Sequence, residues 1–220
     1  MNFELKKRIL TSILLLSLLV VMHLYSFIMI ISLVIIAMIT WIEFYALVSK
    51  ILIKQNGKDK FLRIFYKSLS LLYLSLLVYF IFSIEAYHEN LKVYLAYSIL
   101  VAILSDIGGL VVGKIFKGKK LTKISPNKTI SGSIGSFIFS IFLIPFFNDE
   151  LIKYGFLILI LITIIISFTS QLGDLFISYI KRKAKVKNTS DILPGHGGFL
   201  DRIDGIIFAI PIGILLFNFF

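Results

Sequence analysis

Apolar runs at 9–22, 27–48, 64–82, 93–115, 134–147, 156–180 and 203–219 alternate with short polar segments along the whole chain. A helix needs about 20 apolar residues to cross a bilayer, and all the runs except the short first and fifth are close to or above that length. The pattern predicts an all-α, polytopic transmembrane helical bundle of about seven spans. There is no recognisable repeat, low-complexity tract or Pro/Ser linker, so residues 1–220 are expected to form a single membrane domain.

Composition agrees: 58% of residues are hydrophobic, and the mean hydropathy is +0.96, more than a soluble core of this size requires. Charge then orients the spans. Of the 23 Lys and Arg residues, all but Lys92 and Lys153 fall in four places. Lys6, Lys7 and Arg8 precede the first run; Lys50, Lys54, Lys58, Lys60, Arg63 and Lys67 fill the second loop. Lys114, Lys117, Lys119, Lys120, Lys123 and Lys128 fill the fourth; Lys181, Arg182, Lys183, Lys185, Lys187 and Arg202 fill the sixth. Positive residues gather on the cytoplasmic side, so the N-terminus is expected inside and the fourth and sixth loops on the same face.

The net charge of +11 suggests nucleic acid at first sight, but these lysines flank apolar spans and lack interleaved aromatics. Anionic lipid headgroups and a phosphorylated substrate suit them better. Without cysteine the chain has no disulfide and no thiolate metal site. The basic cluster before the first run resembles a signal peptide, yet no small-residue cleavage site follows, and the run is read as a span.

Acids are costly in hydrocarbon, on the order of 2.5 to 3.5 kcal/mol at a span's centre, so Asp106 in SDIGG and Asp174 in QLGD require partners or water. Gln171, Asp174 and Ser178 share a helix face at spacings of three and four, and Lys181 continues it. Such a face serves either a site or a polar seam between helices. In PGHGGFLDRID, Pro194, Gly195, Gly197 and Gly198 interrupt regular structure and let backbone N–H groups approach a ligand, while Asp201 and Asp204 stand three apart at the entrance of the last helix. That is either an ordinary helix start or an oxygen-only cluster, with Asp174, for Mg²⁺ and a polyphosphate. Arg202 can neutralise phosphate. His196 has no second His or Cys at zinc spacing, so a phosphate or backbone contact is expected of it; His23 and His88 are given local structural roles. Gly108 to Lys114 nearly reads as a phosphate-binding GxxxxGK loop, but Ile115 follows and no strand precedes it, so the match is rejected. In ISPNKTISG, Ser125, Lys128 and Thr129 offer a donor-rich turn with a point charge for phosphate.

These motifs together resemble the phosphatidate cytidylyltransferase (CDP-diglyceride synthetase) family. Its C-terminal pattern S-x-x-K-R, K-D, P-G-H-G-G-x-x-D-R-x-D reads here as Ser178, Lys181 and Arg182, then Lys187 and Asn188, then Pro194 to Gly198, Asp201, Arg202 and Asp204. SDIGG, ISPNKTISG, QLGD and the opening LKKRILT also match. Asn188 stands where the family usually has Asp, and Ser190 where Gly or Ala is usual. The resemblance implies transfer of cytidylyl from CTP to phosphatidic acid in the bacterial inner membrane, the site facing the cytoplasm. It implies Mg²⁺ as cofactor, with a second cation left open, held by Asp174, Asp201, Asp204 and Asp106. Lys181 and Arg202 join the catalytic set; Ser125, Lys128, Thr129, Ser178, Arg182, His196, Gly197 and Gly198 contact substrate. Membrane lipids are the expected surroundings, no nucleic acid is expected as a partner, and a homodimer is left open. The alternatives are CTP-dependent activation of an ether or isoprenoid lipid phosphate, and a non-catalytic paralogue. A transporter is disfavoured, because the charges collect on one side rather than at midplane in paired broken helices.

Overall fold

The computed structural model describes residues 3–53 and 56–220; Lys54 lies outside them. The described residues form helices α1 (Phe3–Leu24), α2 (Ser26–Ile51), α3 (Gly57–Tyr87), α4 (Glu89–Phe116), α5 (Ile130–Ile141), α6 (Asn148–Leu151), α7 (Phe156–Lys183), α8 (Leu200–Ile203) and α9 (Ile206–Phe219), with no strand beyond isolated bridges. Among the described residues, five segments are long and apolar enough to cross a membrane: α2, α3, α4, Ile130–Phe147 and α7. The run Leu10–Met22 within α1, and α9 with its 14 residues, are shorter. The protein is an all-α membrane protein.

The chain divides into two compact units, Met1–Ala86 with Ile180–Ile203, and Tyr87–Tyr179 with Asp204–Phe220. In the first, α1 packs on α2, and α2 on α8. Trp41 on α2 donates its indole N–H to the Lys67 carbonyl of α3 at 3.1 Å, and the Lys67 ammonium lies 4.6 Å from the Tyr45 ring centre and 5.1 Å from that of Trp41. The loop between Lys183 and Leu200 completes this unit.

The second unit shows what lipid does to a core. Its outward positions are large and apolar, Leu110, Leu157 and Phe168 among them, whereas Ser98, Ser105, Ser140, Thr163 and Ser167 are fully buried. Apolar burial gives little drive between helices already in hydrocarbon, so association relies on close packing and interhelical hydrogen bonds. Tyr97 on α4 pairs with Thr163 on α7 at 2.6 Å, Ser167 donates to Ser105 at 3.0 Å, and Ser136 on α5 donates to the Ser105 carbonyl at 2.6 Å. The SDIGGLVVGK segment, rejected above as a phosphate loop, is helical. Its glycines form the α4 face against which α5 packs. A Cβ at Gly135 of α5 would stand 2.4 Å from Val112 Cβ and 2.8 Å from the Gly108 carbonyl oxygen. Gly135→Val is therefore expected to cost at least about 1–3 kcal/mol by overpacking, read as a lowered unfolding midpoint of the purified protein in detergent.

Candidate active site

Two polar constellations stand out, one in each unit. In the Tyr87–Tyr179 unit the segment after α4 turns back on itself: Leu121 donates to the Lys128 carbonyl at 2.8 Å, Lys128 to the Ser125 carbonyl at 3.1 Å, and Ile130 to the Lys119 carbonyl at 3.0 Å. Thr129 ends the turn as the N-cap of α5, its hydroxyl oxygen accepting from the Gly132 N–H at 3.0 Å, the satisfaction that a helix start requires. Capping fixes the backbone on either side, and Lys128 forms an ion pair with Asp174 of α7. Ser178, one turn further along α7, donates to Asp174 Oδ1 at 3.3 Å. Gln171 accepts from Ser133 of α5 at 2.5 Å, so that end of the α7 polar face joins helices, while Asp174 is paired with the Lys128 ammonium. Asp106 is half-buried on α4, and Asp204 is buried, with Oδ1 accepting from the Gly205 N–H at 3.0 Å.

In the other unit, PGHGG folds into a tight turn. Leu193 N–H donates to the Gly197 carbonyl at 2.8 Å and His196 N–H to the Leu193 carbonyl at 2.9 Å. Gly195 and Gly197 have φ of 76° and 82°, in the region where a side chain is strained. Thr11 of α1 donates to the Pro194 carbonyl at 2.9 Å. Arg202 donates through Nε and Nη2 to the His196 carbonyl, at 3.0 and 2.5 Å. Both residues thus brace the loop, while Arg182 is exposed.

Asp201 sits inside this turn. Lys181 Nζ lies 2.6 Å from Oδ1; Oδ2 accepts from Thr189 N–H at 2.8 Å, Thr189 Oγ1 at 2.9 Å and Gly198 N–H at 3.1 Å. Burial disfavours the ionised form, but the Lys181 ammonium and the two backbone donors outweigh it and hold the Asp201 carboxyl below the usual carboxylate range. Because the folded value lies below the unfolded one near 3.9, this acid stabilises the metal-free fold above about pH 4, and the contribution is lost as pH falls through the folded pKa. Asp201→Asn is expected to flatten that acid limb, measured as the unfolding midpoint against pH in detergent without divalent cations.

Sequence reasoning passed over Glu43. It is the lone acid in the run 27–48, and that isolation in a span was the available signal. On α2 it is 2% exposed, and its carboxylate accepts from Thr189 Oγ1, Ser190 Oγ, and the N–H groups of Phe199 and Leu200, at 2.9, 2.5, 3.1 and 2.8 Å.

Among the described residues, neither unit gathers three or more His, Cys, Asp or Glu side chains into a group that could hold a metal. The donor chemistry at Asp174, a carboxylate beside a hydroxyl with no nitrogen or sulfur ligand, nonetheless fits Mg²⁺. That ion commonly takes one or two carboxylates and fills its octahedron with water and substrate phosphate.

The profile of the cytidylyltransferase family matches residues 2–220. A phosphatidate cytidylyltransferase of Staphylococcus haemolyticus is 44% identical over 124 residues, 54% of this chain and 46% of its own. One from Helicobacter pylori is 38% identical over 120 residues, 54% and 45% of the respective chains; one from Bacillus subtilis is 35% identical over 146, 66% and 54%. The matched segments span about half the length of these curated relatives.

Proposed function

Because this chain belongs to the cytidylyltransferase family, we propose that it is a nucleotidyltransferase that moves the cytidylyl group of CTP to phosphatidic acid, giving CDP-diacylglycerol and pyrophosphate. The observation that carries this reading is the pairing of lysine with aspartate in both constellations, Lys128 with Asp174 and Lys181 with Asp201. Each pair would offer its ammonium to a phosphate and its carboxylate to a cation when the substrates bind. Two polyanionic substrates need that kind of neutralisation.

In the proposed reaction a phosphate oxygen of phosphatidic acid bonds to the α-phosphorus of CTP as the bond from that phosphorus to the β-phosphate bridging oxygen breaks. The electron pair departs with pyrophosphate, and no protein nucleophile is required. Lys128 and Lys181 bind and orient phosphate, and Ser178 supplies a hydrogen bond beside Asp174; Ser125, Thr129 and Arg182 are assigned supporting contacts with substrate. The Gly197–Gly198 backbone and His196 shape the loop that carries Asp201. Mg²⁺ would be held by Asp174, with Asp106, Asp201 and Asp204 the other carboxylates proposed for cation contact, and when bound it would neutralise the polyphosphate and polarise the α-phosphoryl group. A cytoplasmic N-terminus and about seven spans are part of the proposal. The polar loops then face the cytoplasm in a bacterial inner membrane, and the acyl chains stay in lipid.

The test is conversion of labelled CTP and phosphatidic acid by the purified protein in detergent, with and without Mg²⁺. Metal-dependent CDP-diacylglycerol supports the reading. Product from an ether or isoprenoid lipid phosphate in place of phosphatidic acid reassigns the acceptor, and no product with any lipid phosphate overturns the transferase.

A further inference from the structure

We infer that Glu43 is a positioning residue, setting the 188–203 loop and through it Asp201 and Lys181; its catalytic readout rests on the transferase reading. The argument begins with what a carboxylate can do that no other side chain can. Glu43 Oε1 accepts from Ser190 Oγ and the Phe199 N–H; Oε2 accepts from Thr189 Oγ1 and the Leu200 N–H. Each oxygen therefore meets one hydroxyl and one backbone amide. A hydroxyl can turn from donor to acceptor, but an amide N–H cannot. Whichever way a glutamine were placed, its NH₂ would face a backbone N–H, and a buried donor would lose its acceptor. Glu43 is buried to 2% exposure, so water does not easily replace what is lost.

The contacts made by Glu43 lead directly to the charged pair. Thr189 Oγ1 lies 2.9 Å from both Glu43 Oε2 and Asp201 Oδ2, and one hydroxyl proton serves two carboxylates. Glu43 also holds the Leu200 N–H at the start of α8 and the Phe199 N–H just before it, next to Asp201. The carboxylate of Asp201 is thus fixed from both sides, by Thr189 and Gly198 on Oδ2 and by Lys181 on Oδ1. Ser190 adds one further donor to Oε1, and the Phe199 N–H remains on that oxygen when its hydroxyl is removed.

The experiment compares wild type, Glu43→Gln, Thr189→Val and Ser190→Ala as full-length proteins in detergent, measuring kcat and KM for CTP and phosphatidic acid, and amide exchange across 188–203. Glu43→Gln is expected to lower kcat about 10- to 100-fold, the usual cost of losing a residue that orients a functional group. KM should change less than kcat, with faster exchange at Phe199 and Leu200 and unchanged exchange in α4 and α7. Ser190→Ala, which removes one donor and leaves the Phe199 N–H on the same oxygen, should lower kcat and loosen the loop less than Glu43→Gln. A folded Glu43→Gln protein with wild-type kcat, or with its loss confined to yield and unfolding midpoint, overturns the inference. Should Glu43→Gln not fold, Thr189→Val decides: a lowered kcat with loosened loop exchange supports positioning, and wild-type values for both overturn it. Should wild type make no product, the transferase reading fails by itself. Exchange then judges Glu43, accelerated loop exchange in the variant supporting the inference and unchanged exchange overturning it.

Discussion

Gly198→Ala is expected to abolish the proposed nucleotidyl transfer and to lower the unfolding midpoint, although it adds one methyl group at a position whose backbone is not strained. A Cβ there would stand 2.0 Å from Thr189 Oγ1 and 2.5 Å from each oxygen of Glu43. None of the three atoms is the far end of a mobile side chain: Thr189 is held by Asp201, and Glu43 by four donors. Overpacking of a well-formed interior costs about 1–3 kcal/mol, and here relief requires breaking hydrogen bonds to buried carboxylates, each on the order of 1.5–3 kcal/mol when one partner is charged. Gly198 also donates its own N–H to Asp201, so the displacement reaches the acid directly. Gly57→Ala is the control, because a Cβ at Gly57 meets nothing within 4 Å. Activity and midpoint near wild type in Gly198→Ala would show that the loop is loose enough to move its anchors, and would remove the close-approach explanation for the HGG pattern.

The all-helical membrane class was legible because apolar length alone reports it, and α2, α3, α4 and α7 lie on the runs that composition marked. The loops were legible to a lesser degree. PGHGG announced a turn through its glycines, and Gly195 and Gly197 take the backbone conformation that glycine permits. What the residues alone did not disclose was who receives the hydrogen bonds of that turn. Glu43 lies 146 residues from Thr189 along the chain, and no local pattern links an acid in an early helix to a loop near the end. Arg202 illustrates the same limit: its charge suggested phosphate, while its Nε and Nη2 are taken by the His196 carbonyl. Thr129 was read as a donor for substrate, and its oxygen in addition caps α5, which leaves its O–H to donate; the S/T before a helical run was itself a capping signal. Side-chain chemistry named the groups, and tertiary contacts decided which of them brace the fold.

Asp174→Asn and Lys128→Met are expected to separate the cation from the phosphate in the proposed chemistry. The two side chains are 24% and 25% exposed, so solvent reaches the pair and a divalent cation arriving with a polyphosphate can compete for the carboxylate. Asp174→Asn should cut kcat on the order of 100-fold or more, the scale seen when a preorganised charge partner is lost, and raise the Mg²⁺ concentration for half-maximal rate. Lys128→Met removes the ammonium that competes for the same carboxylate. It should weaken CTP binding, seen as a raised KM, and shift half-saturation by Mg²⁺ to lower concentration. The double variant should lose no more than Asp174→Asn alone at saturating CTP, since residues that act as a unit are not additive. If Lys128→Met instead left the metal requirement unchanged and Asp174→Asn retained full kcat, the pair would be a tether between the Ser125–Lys128 turn and α7. The cation would then have to be sought at another of the carboxylates.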